Sequence, residues 1–230
     1  MSDRQDTSIE LFDEWPDRYD EWFQTPIGSL VKRYESALLL ELLQPLPGET
    51  ILDVGCGTGV FTRDILVLGP RIVGLEISRP MLMRARQKMQ AYSFHPIVGN
   101  MLSLPLADEV FDKTVSMTAL EFVKDARGAV RELFRVTKKG GTVVVTTLNS
   151  LSPWASRRKQ KAEKGHHLFK QMIFRSPDEM RATAPVEGVV KTAIHFQKNE
   201  DPAMVPEIEQ QGQKEKLDTG AFLAAAWLKP

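Results

Sequence analysis

The sequence predicts a single α/β domain built on a doubly wound, mostly parallel sheet with a small cap. Three observations predict it. Short aliphatic runs alternate with stretches of helical apolar spacing, the first run opens into a glycine-rich loop, and only residues 149–175 break the rhythm. At 230 residues and 42% apolar content the chain suffices for one well-buried domain, residues 1–230, and falls short of two.

Residues 9–25 carry Phe12, Trp15, Tyr19, Trp22 and Phe23 among acidic residues, the pattern of a short amphipathic lead-in. From Leu30 the residues Val31, Tyr34, Leu38 and Leu42 recur at helical spacing until Pro45, Pro47 and Gly48 stop them, so residues 1–48 are expected to form a lid and a helix. Residues 51–54 read as a strand opening into Gly55-Cys56-Gly57-Thr58-Gly59, after which Val60, Phe61, Ile65 and Leu68 mark a helix. Residues 72–75 form the second strand, and Ser78 and Pro80 open a helix with Met81, Ala85, Met89 and Tyr92 on one face. Strands follow at 96–98 and 111–117, then a helix capped by Asp125 that runs to Val136. Lys139-Gly140-Gly141 reads as a turn before the β-branched strand 142–148. Residues 149–175, rich in Arg, Lys and His around Trp154, Leu168, Phe169, Met172 and Phe174, read as an inserted cap. Ser176-Pro177-Asp178-Glu179 has capping-box spacing and starts a helix. Residues 189–196 and 221–228 are the last strands, and the polar stretch 197–218 is expected as a solvated connection.

Lys and Arg number 30 against 30 Asp and Glu, so no global field draws the chain to nucleic acid or to an anionic membrane. One cysteine, Cys56, permits no internal disulfide and no multi-cysteine metal site; no metal is expected, and a reducing compartment fits. The opening Met-Ser-Asp-Arg-Gln-Asp does not read as a signal peptide, and no apolar run has membrane-spanning length. The expectation is a soluble, cytoplasmic protein.

The chemistry concentrates at Asp53-Val54-Gly55-Cys56-Gly57-Thr58-Gly59, between a strand and a helix. Glycines there let the backbone turn sharply and a ligand approach it without meeting a Cβ. A dinucleotide loop spaces its glycines G-x-G-x-x-G, whereas here the spacing is G-x-G-x-G. Asp53 would sit badly beside a pyrophosphate and well beside the ammonium of an amino-acid moiety. Charge and spacing therefore favour S-adenosylmethionine and disfavour a nicotinamide-dependent oxidoreductase. Glu76 lies about twenty residues past the loop, the usual offset for a carboxylate that binds ribose hydroxyls.

From about residue 12 to 148 the sequence resembles the class I S-adenosylmethionine-dependent methyltransferases, in particular the small-molecule branch that includes the quinone-biosynthesis C-methyltransferases. Residues 51–59 are similar to the family's first motif and Val73-Gly74-Leu75-Glu76-Ile77-Ser78 to its second. Gly99-Asn100-Met101, with Leu104-Pro105-Leu106 and Phe111-Asp112, is similar to its third. The resemblance implies a Rossmann-like fold and a cofactor site formed by Asp53, Gly55, Gly57, Gly59, Glu76 and Ile77. It further implies that Asn100 and Met101 flank the adenine, that Thr118 to Leu120 lie near the methionine end, and that Tyr19 closes over the cofactor. Asn100 stands where the family usually has aspartate, and Lys139-Gly140 departs from its Lys-Pro-Gly-Gly turn.

The acceptor is less legible. Candidates for a base or substrate contact are Glu121, His166 and His167, each set against a purely structural or solvated reading. Cys56 lacks a neighbouring histidine and is read as structural, as are His95 and His195. Between residues 151 and 182 eight Lys or Arg face three Asp or Glu, with Arg157, Arg158, Lys159, Lys161 and Lys164 clustered. This reads first as a solvated helix face and second as an attractor for an anionic small-molecule acceptor. Thr118-Ala119-Leu120-Glu121 lacks the Asn-Pro-Pro-Tyr pattern of base-methylating enzymes, which disfavours nucleic acid, and one cysteine disfavours an arsenic substrate. Tyr19 and Trp22 are expected to close one side of the site while Trp154, His166 and Phe169 shape the acceptor pocket. A cofactor-binding module without turnover is the alternative from another class.

Overall fold

A computed structural model describes residues 16–230. Its sheet has seven strands: β1 (Thr50–Val54), β2 (Arg71–Glu76), β3 (Phe94–Val98), β4 (Phe111–Ser116), β5 (Thr137–Leu148), β6 (Val189–Ala193) and β7 (Phe222–Leu228). Their order is β3-β2-β1-β4-β5-β7-β6. The first five run parallel, and β7 inserts antiparallel between β5 and β6. The order reverses between β1 and β4, so the loops leaving those two strands flank the crevice where open α/β sheets bind ligands.

Helices α1 (Pro16–Trp22), α2 (Pro26–Leu43), α3 (Thr62–Leu66) and α4 (Arg79–Lys88) precede the crossover helix α5 (Ala126–Val136). Thr25 caps α2 by accepting from Gly28 N at 3.1 Å, Pro26 fits the first turn, and Gln44 ends the helix in the left-handed region. The central strands β1, β5 and β7 bury apolar side chains on both faces. One core joins Ile51, Ile72, Val144 and Phe222 to Leu39, Leu43 and Ile65, and the other joins Leu52, Leu75, Val143 and Val145 to Ala129, Val130, Leu133 and Met180. Each fully buried Leu, Ile or Val contributes about 1.5–3 kcal/mol, which is why the alternation of strand and helix dictates the layering.

Beyond β5 the chain forms α6 (Pro153–Glu163), α7 (His167–Gln171), α8 (Pro177–Arg181) and α9 (Val205–Lys214). The expected capping box is present at Ser176 and Glu179. The cap is stitched down: Trp154 Nε1 donates to Phe196 O at 2.8 Å, and Arg157 donates to the side chains of Gln197 and Asn199.

Several expected boundaries are corrected. Lys139-Gly140-Gly141 does not precede β5 but lies inside it, as an irregularity that shifts the pairing from Phe111–Thr137 to Lys113–Thr142, with Gly140 at φ 72°. The helix after the glycine loop is one short turn longer in apolar spacing than in hydrogen bonding, spanning only Thr62–Leu66. β6 stops at Ala193 because Ile194 has φ 66°. The stretch 197–218 is not merely a solvated connection, since α9 buries Val205, Glu209 and Gly212 against the fold. There Glu209 accepts from Ile194 N at 3.1 Å and His195 N at 2.7 Å, so a charged residue occupies what is sterically a core position. Of the aromatic lead-in, Phe12 and Trp15 lie outside the described residues. Among the described residues no helix is long and apolar enough to cross a membrane.

Candidate active site

β1 delivers Asp53 to the crevice, only 2% exposed. Its Oδ2 accepts from Thr62 Oγ1 at 2.6 Å, whereas its Oδ1 is buried with no partner among the described residues. Burial pushes its pKa up to about 7, with the Thr62 hydroxyl opposing and the Glu76 charge adding to the rise. The loop is pinned to β2 by Gly55 N and Cys56 N, which donate to Leu75 O at 2.7 and 3.2 Å. Gly55 is at φ 76° and packs so closely on Ala119 that a Cβ would overlap it. Gly57, at φ 54°, presents bare backbone to open space, with nothing within 4 Å of a built Cβ. Gly59, also at φ 76°, packs on Met89 and Ala85 of the α4 region.

Glu76 ends β2 and ties the rims together. Its Oε2 accepts from Gly57 N at 3.0 Å, and Oε1 accepts from Ile77 N and Ser78 N at 2.8 and 2.9 Å. Ile77 is 37% exposed beside it. Asn100 Oδ1 accepts from Leu102 N at 2.9 Å, so this side chain shapes its own loop as well as facing the rim, and Met101 is buried beneath. The same polar loop-closing role is open to either Asn or Asp, which accounts for the departure from the family pattern.

The structure brings α1 onto this site. Asp20 Oδ1 accepts from Thr58 Oγ1 of the glycine loop at 2.6 Å, and Oδ2 pairs with Lys88 at 2.5 Å and Arg84 at 3.3 Å on α4. Tyr19 is half-buried and hydrogen-bonds the Thr118 side chain, while burial and the nearby Glu35 push its phenol pKa up. Thr118 has φ 45°, its N–H donating to Thr146 Oγ1 at 3.0 Å. Phe23 packs edge-on against Tyr19, Trp22 and Phe61 at 5.0–5.4 Å.

Past Tyr19 lies a second buried cluster. Glu121 is fully buried; its Oε1 accepts from Leu148 N at 2.8 Å and its Oε2 has no partner among the described residues. Glu35, 6% exposed on α2, shares a cleft with Trp154 and Arg158 of α6. Burial pushes Glu35 up to about 8 and Glu121 up to about 7, opposed in both by the Arg158 charge. Arg175 buttresses the turn by donating to Leu120 O at 2.7 Å and Val123 O at 2.6 Å.

Other candidates fall away from this cluster. His167 is exposed on α7, and His166 stacks on Phe169 with centroids 4.0 Å apart. Phe169 in turn faces a cap groove shared with Lys159, Met172 and Phe174, not the cleft beside Glu35. Of the aromatic pocket residues, only Trp154 lines the cleft. The basic cluster is not uniformly solvated, because Arg158 turns inward over the Trp154 ring at 5.4 Å. Burial, with Asp53 and Glu76 nearby, pushes the Cys56 thiol well up, away from thiolate chemistry. His195 Nδ1 sits 3.3 Å from Glu209 Oε2, in keeping with a structural role.

Sequence reasoning missed Asp20, Thr62 and Glu35. Glu35 was detectable as a charge in the apolar stripe Val31, Leu38 and Leu39 of α2. Asp20 and Thr62 carried no signal beyond their distance from the loop along the chain.

Residues 52–145 match the family model of the methyltransferase domain. A malonyl-[acyl-carrier protein] O-methyltransferase of Serratia marcescens is 30% identical over 171 residues, covering 65% of this chain and 66% of that protein. That of Buchnera aphidicola is 36% identical over 121 residues, 52% of this chain and 48% of that protein. The chain thus spans about half to two thirds of the length of these curated relatives. A solved S-adenosylmethionine-dependent methyltransferase of Thermotoga maritima superposes with a TM-score of 0.68 at 26% identity, covering 96% of this chain and 99% of that one. With its glycine loop at the strand-order reversal and its antiparallel β7, the chain belongs to the class I S-adenosylmethionine-dependent methyltransferases.

Proposed function

We propose that this protein transfers the methyl group of S-adenosylmethionine to a small acceptor that enters beside Thr118 and Glu121. One observation carries the reading: an unpartnered, buried carboxylate oxygen on Asp53 adjoins a loop whose Gly57 backbone faces open space at the strand-order reversal. The cofactor supplies an electrophilic sulfonium methyl. Asp53 would hold its ammonium, Gly57 would let it approach the backbone while Gly55 and Gly59 keep the loop's tight turn and packing, and Glu76 would accept from the ribose hydroxyls. Of about four acceptor positions on a carboxylate, three on Glu76 hold the Gly57, Ile77 and Ser78 amides, so accepting from both hydroxyls would exchange at least one of these loop bonds. Ile77, Asn100 and Met101 would enclose the adenine, and Thr118 would border the methionine end. Tyr19, anchored on Thr118, and Asp20, anchored on Thr58, place α1 over the site, where it excludes water and fixes the approach of the acceptor.

Buried Cys56 suits the reducing cytosol, where we place the protein. The test is incubation of the full chain with methyl-labelled cofactor and a deproteinised cell extract, followed by mass spectrometry. Label in a metabolite is expected. Cofactor binding with no labelled product would instead support a binding module without turnover.

A further inference from the structure

Among the described residues, buried Arg158 Nη1 meets no hydrogen-bond acceptor and buried Glu121 Oε2 meets no donor. Arg158 and Glu35 line one cleft with Val31, Leu148, Trp154 and Ala221, and Glu121 backs onto it through the Leu148 amide. If Arg158 merely neutralised the two acids, it would pair with them, since a buried guanidinium without a partner is costly. Among the described residues no ion pair or hydrogen bond joins it to either. A guanidinium keeps its proton and offers only donors, so the missing partner is an acceptor, and a planar pair of oxygens matches its fork.

Resting on the methyltransferase reading above, we infer that Arg158 recognises a carboxylate on the acceptor and that this carboxylate is the group methylated. The surroundings agree. Lys198 stands within electrostatic reach of Arg158, and Glu35 and Glu121 are both pushed toward their neutral forms by burial, so the cleft favours an anion at neutral pH. As protonated acids they can donate to the second carboxylate oxygen. Tyr19 hydrogen-bonds the Thr118 side chain and feels the charges of Glu35 and Glu121, which ties this cluster to the rim where the methyl donor would lie. The cleft has about 10 Å³ of free room, close to that of one water, so the head group enters as α6 and α2 part. In the transfer, a carboxylate oxygen lone pair forms the new O–CH₃ bond while the S–CH₃ bond breaks and its electrons remain on sulfur. A methyl ester and a neutral thioether result, and no proton moves, so no general base is needed.

The experiment offers the full chain methyl-labelled cofactor with a panel of mono- and dicarboxylic acids and amines and with a deproteinised extract. Products are then treated with alkali, which releases label from an ester as volatile methanol and leaves N- and C-methyl groups intact. Alkali-labile label is expected, with Arg158→Gln raising the acceptor KM about tenfold or more and Arg158→Lys recovering part of it. The cofactor Kd, read by calorimetry, stays unchanged in both variants. Glu35→Gln, whose amide can still donate, is expected to raise the acceptor KM less than Arg158→Gln does; an amine acceptor held by the acids would reverse that order. Alkali-stable label, or a normal KM in a folded Arg158→Gln, overturns the carboxylate assignment and leaves methyl transfer standing. No label in any acceptor despite cofactor binding overturns both.

Discussion

Asp53 gives the sharpest test of the cofactor site, because its two oxygens have unequal fates. Oδ2 is satisfied by Thr62 while Oδ1 is buried and unpartnered, and burial lifts the carboxyl from 3.8 to about 7. At about 1.4 kcal/mol per pH unit, that gap sets a ceiling of about 4 kcal/mol on the cost of ionising Asp53 in the ligand-free fold. The folded pKa is raised, so the free protein holds a proton that the unfolded chain has lost. Stability should therefore fall as pH rises from about 4 to about 7, and level off above. An ammonium placed against Oδ1 reverses the preference and draws the carboxyl back into its ordinary ionised range. Binding of S-adenosylhomocysteine at pH 6 should then release about 0.9 proton, and the Kd should weaken nearly tenfold per pH unit below 7. Calorimetry in two buffers of different ionisation enthalpy, between pH 5.5 and 7, counts that proton without interference from the ligand's own amine. Asp53→Asn should abolish the release, lower affinity about tenfold to a hundredfold, and flatten the pH dependence of the unliganded melting temperature. Binding at pH 6 with no proton release, together with full affinity in Asp53→Asn, would falsify the assignment of Asp53 to the ammonium.

Three further outcomes are expected. Gly55→Ala forces a side chain into the left-handed region at φ 76° and onto Ala119, so it should destabilise the fold by about 1–2 kcal/mol from the backbone alone and more from overlap; a thermal melt within about 1 °C of the parent protein would refute this reading. Asp20→Asn should leave overall stability within about 1 kcal/mol while speeding cofactor dissociation several-fold, because it frees α1 from Thr58, Lys88 and Arg84. Stopped-flow fluorescence and hydrogen exchange over residues 16–23 measure both, and an unchanged off-rate counts against α1 as a lid. Burial depresses the His195 pKa but the Glu209 carboxylate more than offsets this, so the net shift is upward. The pair's contribution is therefore full below the ordinary histidine value of 6.5 and lost as pH rises through the folded one. Glu209→Gln should accordingly destabilise more at pH 6 than at pH 8 in urea titrations, and an equal loss at both would show that only the amide bonds to Ile194 and His195 matter.

The sheet through β5 was legible because both of its signals are local. Buried parallel strands read as short apolar runs, and Ser78, Asp125 and Ser176 announce their helices through side-chain caps that each accept a nearby amide. The glycine loop was legible for the same reason, since Gly55 and Gly57 both adopt positive φ that other residues resist. What escaped depends on contacts remote in sequence. α9 looked too polar for a core because Glu209 and Gly212 occupy its buried face, and the Glu209 partners Ile194 and His195 lie 14–15 residues upstream. Asp20 meets Thr58 across 38 residues, and nothing in Arg18-Tyr19-Asp20 distinguishes a latch from a solvated acid. Arg158 sits one position from exposed Arg157 and Lys159, so composition alone averaged an inward cation into an outward patch.

Three buried acids, Asp53, Glu121 and Glu35, are all lifted by burial toward or beyond neutrality. For a fold this is wasteful: apolar side chains of the same size at those positions would pack without the desolvation cost. Structural acids in the same protein behave differently. Glu132 is engaged by Arg135 and the Leu104 amide, and Glu209 by His195 and two amides, and both stay below the ordinary carboxylate range. The contrast separates carboxylates engaged through several chain partners from Asp53 and Glu121, each of which keeps one buried oxygen with no partner among the described residues. Asp53 lies at the end of β1 and Glu121 just beyond β4, the two strands that bound the strand-order reversal, and Glu35 on α2 is within electrostatic reach of Tyr19 and Glu121. An unsatisfied carboxylate is kept where a ligand completes it, and here two such carboxylates follow the two strands of the reversal: a cofactor half built from local motifs, and an acceptor half assembled only by folding.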